Sequence, residues 1–193
     1  MTAPARVVVA TKNPEKLIEV RDILERVLPD TELVWGLEWD DVPETGDTLA
    51  ANALLKAHAV AAATGLPAIA DDTGLEVDAL GGRPGVHTAR YAGPDAGYEA
   101  NRRLLLEELQ GAATRTARFR TVVAMVTPDV AEMIADGVLE GEITCVERGD
   151  GGFGYDPVFA VDGATLAEID ESHKNTISHR ARALEALARA LTG

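Results

Sequence analysis

A short run of β-branched residues, Arg6 to Thr11, leads directly into an amphipathic helical pattern, and this succession constrains the fold most strongly. The run, RVVVAT, is apolar enough for a buried strand, and the apolar residues that follow recur at helical spacing from Leu17 to Leu28. Asn13 and Pro14 are favourable N-cap and N1 residues, so we predict that the helix begins there. A buried strand followed at once by a helix is typical of α/β folds.

The rest of the chain first continues to alternate helices with strands and then contains a region typical of antiparallel strands. An alanine-rich helix is predicted to begin at Asp47 or Thr48 and to end at Gly65, followed by one strand, PAIADD, and another, GLEVDAL. Residues 114–149 are typical of antiparallel strands that turn near Pro128. We therefore predict an α/β fold in a single domain, residues 1–193, with a central mixed β-sheet flanked by helices and two lobes around a cleft.

Composition excludes several classes of protein. The net charge of −14 argues against non-specific binding to nucleic acid or to an anionic membrane, since both need a basic field. No apolar run approaches the roughly 20 residues of a membrane helix. The first residues contain no apolar segment typical of a secretory signal, and Cys145 is the single cysteine. These features predict a cytoplasmic protein.

Lysine is scarce in this chain, with only Lys12, Lys16, Lys56 and Lys174 among 18 basic residues. A lysine that persists among arginines indicates a place where a compact ammonium group is needed, and lineage bias is the alternative. Lys12 and Lys16 flank the start of the first predicted helix, where backbone amides and the helix dipole favour an anion. This segment predicts phosphate binding, although an ordinary strand–helix connection has the same pattern.

Two adjacent acids, Asp71 and Asp72, follow the apolar run PAIA. Successive strand residues point to opposite faces, so one acid is expected to face the core and the other a ligand. A carboxylate that faces phosphates is most useful with Mg²⁺ between them, and Glu44 is a candidate second ligand. The alternative is a turn in which an Asp side chain caps the backbone.

Two later segments carry candidate binding residues. The loop GDGGFGYDP lets the backbone approach a ligand closely, while Phe153 or Tyr155 offers a flat face to a base; a hairpin with buried aromatics is the alternative. The segment HKNTISHRARAL places Lys174, His179 and Arg180 around the start of the last helix, which a solvated helix start capped by Ser178 would also explain. No zinc site or nucleophilic triad is recognisable.

Taken together, the segments ATKNPEK, PETGDTLAANALLKA, LPAIADDTGLEVDALGGRPGVHTARYAG, FGYDPVF and SHRARAL resemble the inosine triphosphate pyrophosphatase family over almost the whole chain. The resemblance implies hydrolysis of non-standard purine nucleoside triphosphates (ITP, dITP and XTP) to the monophosphate and pyrophosphate. It also implies a nucleotide-binding cleft, dependence on Mg²⁺, and a homodimer. A catalytically inactive nucleotide sensor is the alternative.

The resemblance also implies roles for particular residues. Asp72 would accept a proton from water and bind the metal together with Glu44, and Thr73 would lie beside the substrate. The triphosphate would be bound by Thr11, Lys12, Asn13, Pro14, Glu15 and Lys16, and the base and the rest of the nucleotide by Phe153, Gly154, Tyr155, Asp156, Lys174, His179 and Arg180. We expect Arg180 to read the 6-oxo group of the base. Ala51 departs from many relatives, which carry an acid there, and this predicts weaker metal binding.

Overall fold

The computed structural model describes residues 3–193 and confirms a mixed α/β fold. Eight strands form one sheet: β1 (Arg6–Val9), β2 (Glu32–Val34), β3 (Ala68–Val77), β4 (Pro84–Gly85), β5 (Thr116–Val126), β6 (Glu132–Ile143), β7 (Phe159–Val161) and β8 (Ala164–Thr165). The hydrogen-bonded order is β2-β1-β3-β5-β6-β7-β8, and β4 pairs with β3. Strand β1 runs parallel to both β2 and β3, whereas β4 is antiparallel to β3, and β7 is antiparallel to β6 and β8.

Within residues 3–193, five α-helices accompany the sheet: α1 (Pro14–Val27), α2 (Leu49–Thr64), α3 (Tyr98–Glu108), α4 (Glu171–Ile177) and α5 (His179–Thr192). The predicted start of α1 and both predicted ends of α2 are confirmed. The Asn13 side chain caps α1, with Pro14 as its first residue. Thr48 caps α2, which ends at Gly65 with a φ of 67°, in the left-handed conformation that glycine adopts without strain.

One strand prediction is wrong in a way that matters for the site. PAIADD and GLEVDAL are not two strands, because residues 68–77 form the single ten-residue strand β3. Asp71 and Asp72 therefore lie inside a strand and not at its end. The strand continues past them because both carboxylates find cationic partners (Lys16 for Asp71 and Lys56 for Asp72), so their burial does not force the chain to turn toward solvent.

The chain divides into two compact units. Unit 1 contains the described residues up to Asp72, Thr121–Gly137 and Ser178–Gly193, and unit 2 contains Thr73–Arg120 and Val138–Ile177. In unit 1, apolar residues of α1 and α5 pack together with β1 and β5, around Ile23, Val123 and Leu184. Unit 2 has its own core, which includes Leu75, Leu105 and Phe159. Along the described part of the chain, no helix is long and apolar enough to span a membrane.

Candidate active site

The start of α1 has the predicted strand–turn–helix arrangement, but its first amides have a partner within the chain. The Asn13 Oδ1 atom accepts hydrogen bonds from the amides of Glu15 (2.9 Å) and Lys16 (3.1 Å). These amides are therefore not the unpaired donors that the pattern predicted, because the N-cap already uses them. Thr11 Oγ1 in turn accepts a hydrogen bond from the amide of Asn13 at 3.2 Å. The segment is thus held rigidly by its own side chains.

Asp71 lies at the centre of a buried ionic network in unit 1. Its Oδ2 atom is 3.1 Å from Lys16 Nζ and 3.2 Å from Arg180 Nε. Arg180 also pairs with Glu19, through Nη1 and Oε2 at 2.7 Å, and Ser178 Oγ donates to the other oxygen of Glu19 at 3.3 Å. All five side chains are largely withdrawn from water. Opposite charges alternate along the network, which is what makes so many buried charges tolerable.

Asp72 has a separate set of partners, as expected for the opposite side of the strand. Lys56 Nζ lies 3.0 Å from Asp72 Oδ1 and 2.7 Å from Glu44 Oε1, so one ammonium group joins two carboxylates. Asn52 Nδ2 donates to Asp72 Oδ2 at 3.2 Å, while its own Oδ1 accepts from the amide of Gly46 at 2.8 Å. Both oxygens of Asp72 are thus oriented by residues of α2 (Leu49–Thr64).

The two neighbouring acids differ in their ionisation. Burial raises the pKa of Asp71, but the charges of Lys16 and Arg180 outweigh it, and the pKa is far below its ordinary value. For Asp72, burial is again the largest effect, and repulsion from Glu44 adds to it, so that its pKa is raised despite Lys56. A carboxylate with a raised pKa is a better proton acceptor than an ordinary one. Asp72 is therefore better suited than Asp71 to act as a base.

A cavity of about 310 Å³ opens beside these groups in unit 1. Cationic and anionic side chains share its wall, and they include Lys12, Lys16, Lys56, Asp41, Glu44 and Asp71. Trp39 and Val42 contribute apolar surface. Lys12 pairs with Asp41 at 2.5 Å on the exposed side of the cavity. Three of the four lysines of the chain thus line one cavity, where an anion such as a triphosphate could contact them. Each of these lysines already pairs with an acid of the same wall, so a bound triphosphate would compete with those acids.

Unit 2 brings together three of the other predicted binding residues, Phe153, Asp156 and Lys174. Lys174 is buried and pairs with Asp156 at 2.6 Å, and its Nζ atom lies 4.7 Å from the centre of the Phe153 ring. The same Asp156 oxygen accepts a hydrogen bond from the amide of Phe153 at 2.8 Å. Gly154, between Phe153 and Tyr155, has a φ of 62°. Phe153 is partly exposed and supported by a charge pair, so it can offer a face to a base.

Several predicted residues have positions that change their roles. Tyr155 is buried in the core of unit 2, where its hydroxyl donates to the carbonyl of Thr88 at 3.0 Å, so the prediction that its ring faces a base is wrong. Arg180 is also buried and is engaged by Glu19 and Asp71, which contradicts a direct reading of the base by its side chain. His179 is buried as the first residue of α5 (His179–Thr192). Ser178 caps this helix, as the alternative interpretation had it, but the helix start is buried and not solvated. Thr73 is partly buried in β3.

Sequence reasoning missed three residues that organise the site. Lys56 joins Asp72 to Glu44, Asn52 orients Asp72, and Glu19 anchors Arg180. The scarcity of lysine was the signal that could have identified Lys56. Asn52 also gave a signal, as a polar residue in an otherwise apolar helix pattern. Glu19 gave none, because its partner Arg180 is 161 positions away along the chain.

Glu44 and Asp72 form a donor set that fits Mg²⁺. Their oxygens converge on the ammonium group of Lys56, which shows that the pair can face one cation. Mg²⁺ is commonly bound by one or two carboxylates, with waters and substrate phosphates completing its coordination. Within residues 3–193, no group of three or more His, Cys, Asp or Glu side chains could hold a metal ion by itself. The protein ligands therefore suit a metal shared with a phosphate-bearing substrate.

Ala51 is the third residue of α2 (Leu49–Thr64), and its amide donates to the capping oxygen of Thr48 at 3.1 Å. An acid three residues after a threonine cap forms a capping box, in which the two residues bond each other's backbone amides. Position 51 therefore has a structural reason to carry an acid that does not involve a metal.

Comparison with known proteins identifies the family of this chain. The model of the Ham1 family matches residues 7–190. The chain is 51% identical to a dITP/XTP pyrophosphatase from Porphyromonas gingivalis, in an alignment that covers 94% of this chain and 95% of that protein. It is 50% identical to a dITP/XTP pyrophosphatase from Symbiobacterium thermophilum, with coverage of 93% and 91%. The solved structure of a HAM1 protein from Coxiella burnetii superposes with a TM-score of 0.86 and 40% identity, over 97% of this chain and 98% of that one. This chain belongs to the Ham1 family.

Proposed function

We propose that this chain hydrolyses non-standard purine nucleoside triphosphates, namely dITP, ITP and XTP, to the nucleoside monophosphate and pyrophosphate. One observation carries the proposal: Asp72, a buried carboxylate with a raised pKa, lies 3.0 Å from Lys56, which lines the cavity of unit 1 together with Lys12, Lys16 and Glu44. The relatives described above are named for the same activity. Residues 1–193 would act as a single catalytic domain.

In this proposal Asp72 accepts the proton of a water molecule whose oxygen attacks the α-phosphorus. The bond between the α-phosphorus and its bridging oxygen breaks, and pyrophosphate leaves with the electron pair of that bond. Lys56 orients Asp72 through their 3.0 Å contact, and Asn52 orients its other oxygen. A carboxylate held in this way loses little orientational freedom when the water arrives.

The phosphates would be bound by the cavity of unit 1. Lys16 and Lys56 supply compact positive charge, and Thr11, Lys12 and Asn13 form the neighbouring wall. Pro14 and Glu15 complete the first turn of α1. Glu44 and Asp72 would hold Mg²⁺, which when bound would neutralise charge on the phosphates.

The base would be bound by the partly exposed ring of Phe153, with Gly154, Asp156 and Lys174 supporting it. His179 stays a proposed contact of the nucleotide. Arg180 has a different role from the one predicted: it acts through Asp71, whose carboxylate it shares with Lys16. In this way Arg180 helps to place the Lys16 ammonium group beside the phosphates. We further propose a cytoplasmic homodimer that does not bind nucleic acid or membranes.

The proposal is tested by incubating the purified protein with dITP, ITP, XTP, dGTP and ATP and measuring released pyrophosphate. We expect rapid release from dITP, ITP and XTP in the presence of Mg²⁺, and none after chelation with EDTA. A 6-oxo group offers an acceptor where ATP has an amino donor, and one unpaired buried polar group costs about 1–3 kcal/mol, so ATP should react about 5- to 150-fold more slowly. Binding of dITP without any pyrophosphate release would instead support the nucleotide sensor.

A further inference from the structure

The loop that carries Phe153 is built almost entirely from residues with high backbone freedom. Four glycines lie within residues 149–154, and both Gly152 (φ 67°) and Gly154 (φ 62°), which flank Phe153, are left-handed. Such a segment loses much conformational entropy when it is ordered. Something outside the loop must therefore hold it if the Phe153 ring is to present one fixed face.

Two contacts within unit 2 restrain this loop from its C-terminal side. Asp156 accepts the Phe153 amide at 2.8 Å, and Lys174 pairs with the same carboxylate at 2.6 Å. These contacts fix the backbone nitrogen of Phe153. The amide of Asp156 in turn donates to the Phe153 carbonyl at 3.1 Å. None of these bonds reaches the carbonyl of Gly154, in the following peptide between Gly154 and Tyr155.

Helix α3 (Tyr98–Glu108) bonds that carbonyl directly, while the buried Tyr155 side chain, whose hydroxyl donates to the carbonyl of Thr88, anchors the residue that follows. Arg102 Nη1 donates to the carbonyl oxygen of Gly154 at 2.8 Å, and Arg102 Nε lies 3.0 Å from Glu147 Oε2. The Arg102 side chain is only 15% exposed, so water competes weakly for this bond. Tyr98 lies one helical turn earlier, on the same face of α3, and its ring centre is 6.3 Å from that of Phe153.

We propose that Arg102 is a positioning residue for base recognition, which acts by holding the Gly154 carbonyl so that the Phe153 ring stays in place. This inference rests on the proposed function, in which Phe153 binds the base. Glu147 forms an ion pair with the guanidinium group at Nε, and the Tyr98 ring lies beside the Phe153 ring. Since Arg102 contacts the loop and not the phosphate cavity, its loss should weaken binding of the base and leave the binding of phosphates unchanged.

The test compares Arg102→Ala with Arg102→Lys and with the control Arg103→Ala. Arg103 is the neighbouring residue, is 69% exposed, and its closest acidic partner is Glu107 at 3.9 Å. For each protein, KM and kcat are measured with dITP, and calorimetric titrations measure affinity for dIMP, which carries the base, and for inorganic pyrophosphate, which does not.

We expect Arg102→Ala to raise KM for dITP and to weaken dIMP binding by about tenfold each, with kcat within about twofold and pyrophosphate affinity unchanged. Arg102→Lys keeps a donor and should lie between this variant and the native protein. Arg103→Ala should match the native protein.

Equal dIMP affinity in Arg102→Ala and Arg103→Ala would overturn the inference. An equal loss of dIMP and pyrophosphate affinity in Arg102→Ala would also overturn it, because such a loss indicates general unfolding of the site. Should Arg102→Ala fail to fold, Arg102→Lys and Glu147→Gln provide the same comparison in milder form. A native protein that releases no pyrophosphate from dITP would overturn the proposed function itself. An active native protein with an unaffected Arg102→Ala variant would overturn only this inference.

Discussion

The two units position their functional side chains by different physical means. In unit 1, Asp71 and Asp72 are held by opposite charges, with Lys16, Arg180 and Lys56 all within 3.2 Å. In unit 2, Phe153 is held mainly through its backbone, by hydrogen bonds that fix the peptides of a glycine-rich loop. A site for phosphate chemistry needs fixed charges, and fixed charges are best held by other charges. A site for a flat base needs an open ring face, which side-chain packing would cover.

The largest effect is expected from Asp72→Asn, which removes the proposed base. An amide cannot accept the proton from water, so kcat should fall about 10³-fold. Because the protein environment raises the pKa of Asp72, it already disfavours the charged form, and a neutral side chain should cost little stability. The measurements are steady-state kinetics with dITP and thermal unfolding. Near-normal turnover would show that another group is the base.

Asp71→Asn tests whether Asp71, unlike Asp72, stabilises the fold. This change leaves Lys16 and Arg180 without the carboxylate that they share, and removing one member of a buried ion network costs roughly 3 kcal/mol. We expect a clear decrease in the free energy of unfolding, measured with urea, that Asp72→Asn does not show. The lowered pKa of Asp71 agrees with this direction, since its ionised form stabilises the fold at neutral pH. Equal stability of Asp71→Asn and Asp72→Asn would show that Asp71 does not stabilise the fold more than Asp72 does.

In unit 2 the corresponding test changes the backbone rather than a charge. A Cβ atom at Gly152 would overlap Asp156 Oδ2, whereas a Cβ at Gly154 would meet no atom within 4 Å. Both residues have positive φ, so alanine at either costs about 1–2 kcal/mol of backbone strain. Gly152→Ala should therefore raise KM for dITP more than Gly154→Ala, which is its matched control. Identical KM values in the two variants would show that Asp156 does not need its present position.

The smallest effect is expected from Ala51→Glu. The acid would complete a capping box with Thr48 and interact favourably with the N-terminus of α2, which is worth about 0.3–1 kcal/mol. We expect a small rise in melting temperature and an unchanged Mg²⁺ concentration for half-maximal activity. A tighter Mg²⁺ response without a gain in stability would restore the earlier prediction that an acid at position 51 binds the metal.

Local patterns were predictable from the sequence, and contacts between distant segments were not. The Asn13 and Thr48 caps, the glycine that ends α2 and the alternating faces of Asp71 and Asp72 all follow from neighbouring residues. The role of Arg180 was mispredicted because its partners, Glu19 and Asp71, lie 161 and 109 positions away. The continuity of β3 through two acids was missed for the same reason, since Lys16 and Lys56 on other elements make that burial possible.

The most direct test of the account follows the oxygen atom of the attacking water. The native protein is incubated with dITP and Mg²⁺ in H₂¹⁸O, and the products are analysed by mass spectrometry. Attack on the α-phosphorus, as proposed for water activated by Asp72, predicts one ¹⁸O atom in dIMP and none in pyrophosphate. Label in pyrophosphate with unlabelled dIMP, or formation of dIDP and phosphate, would contradict it.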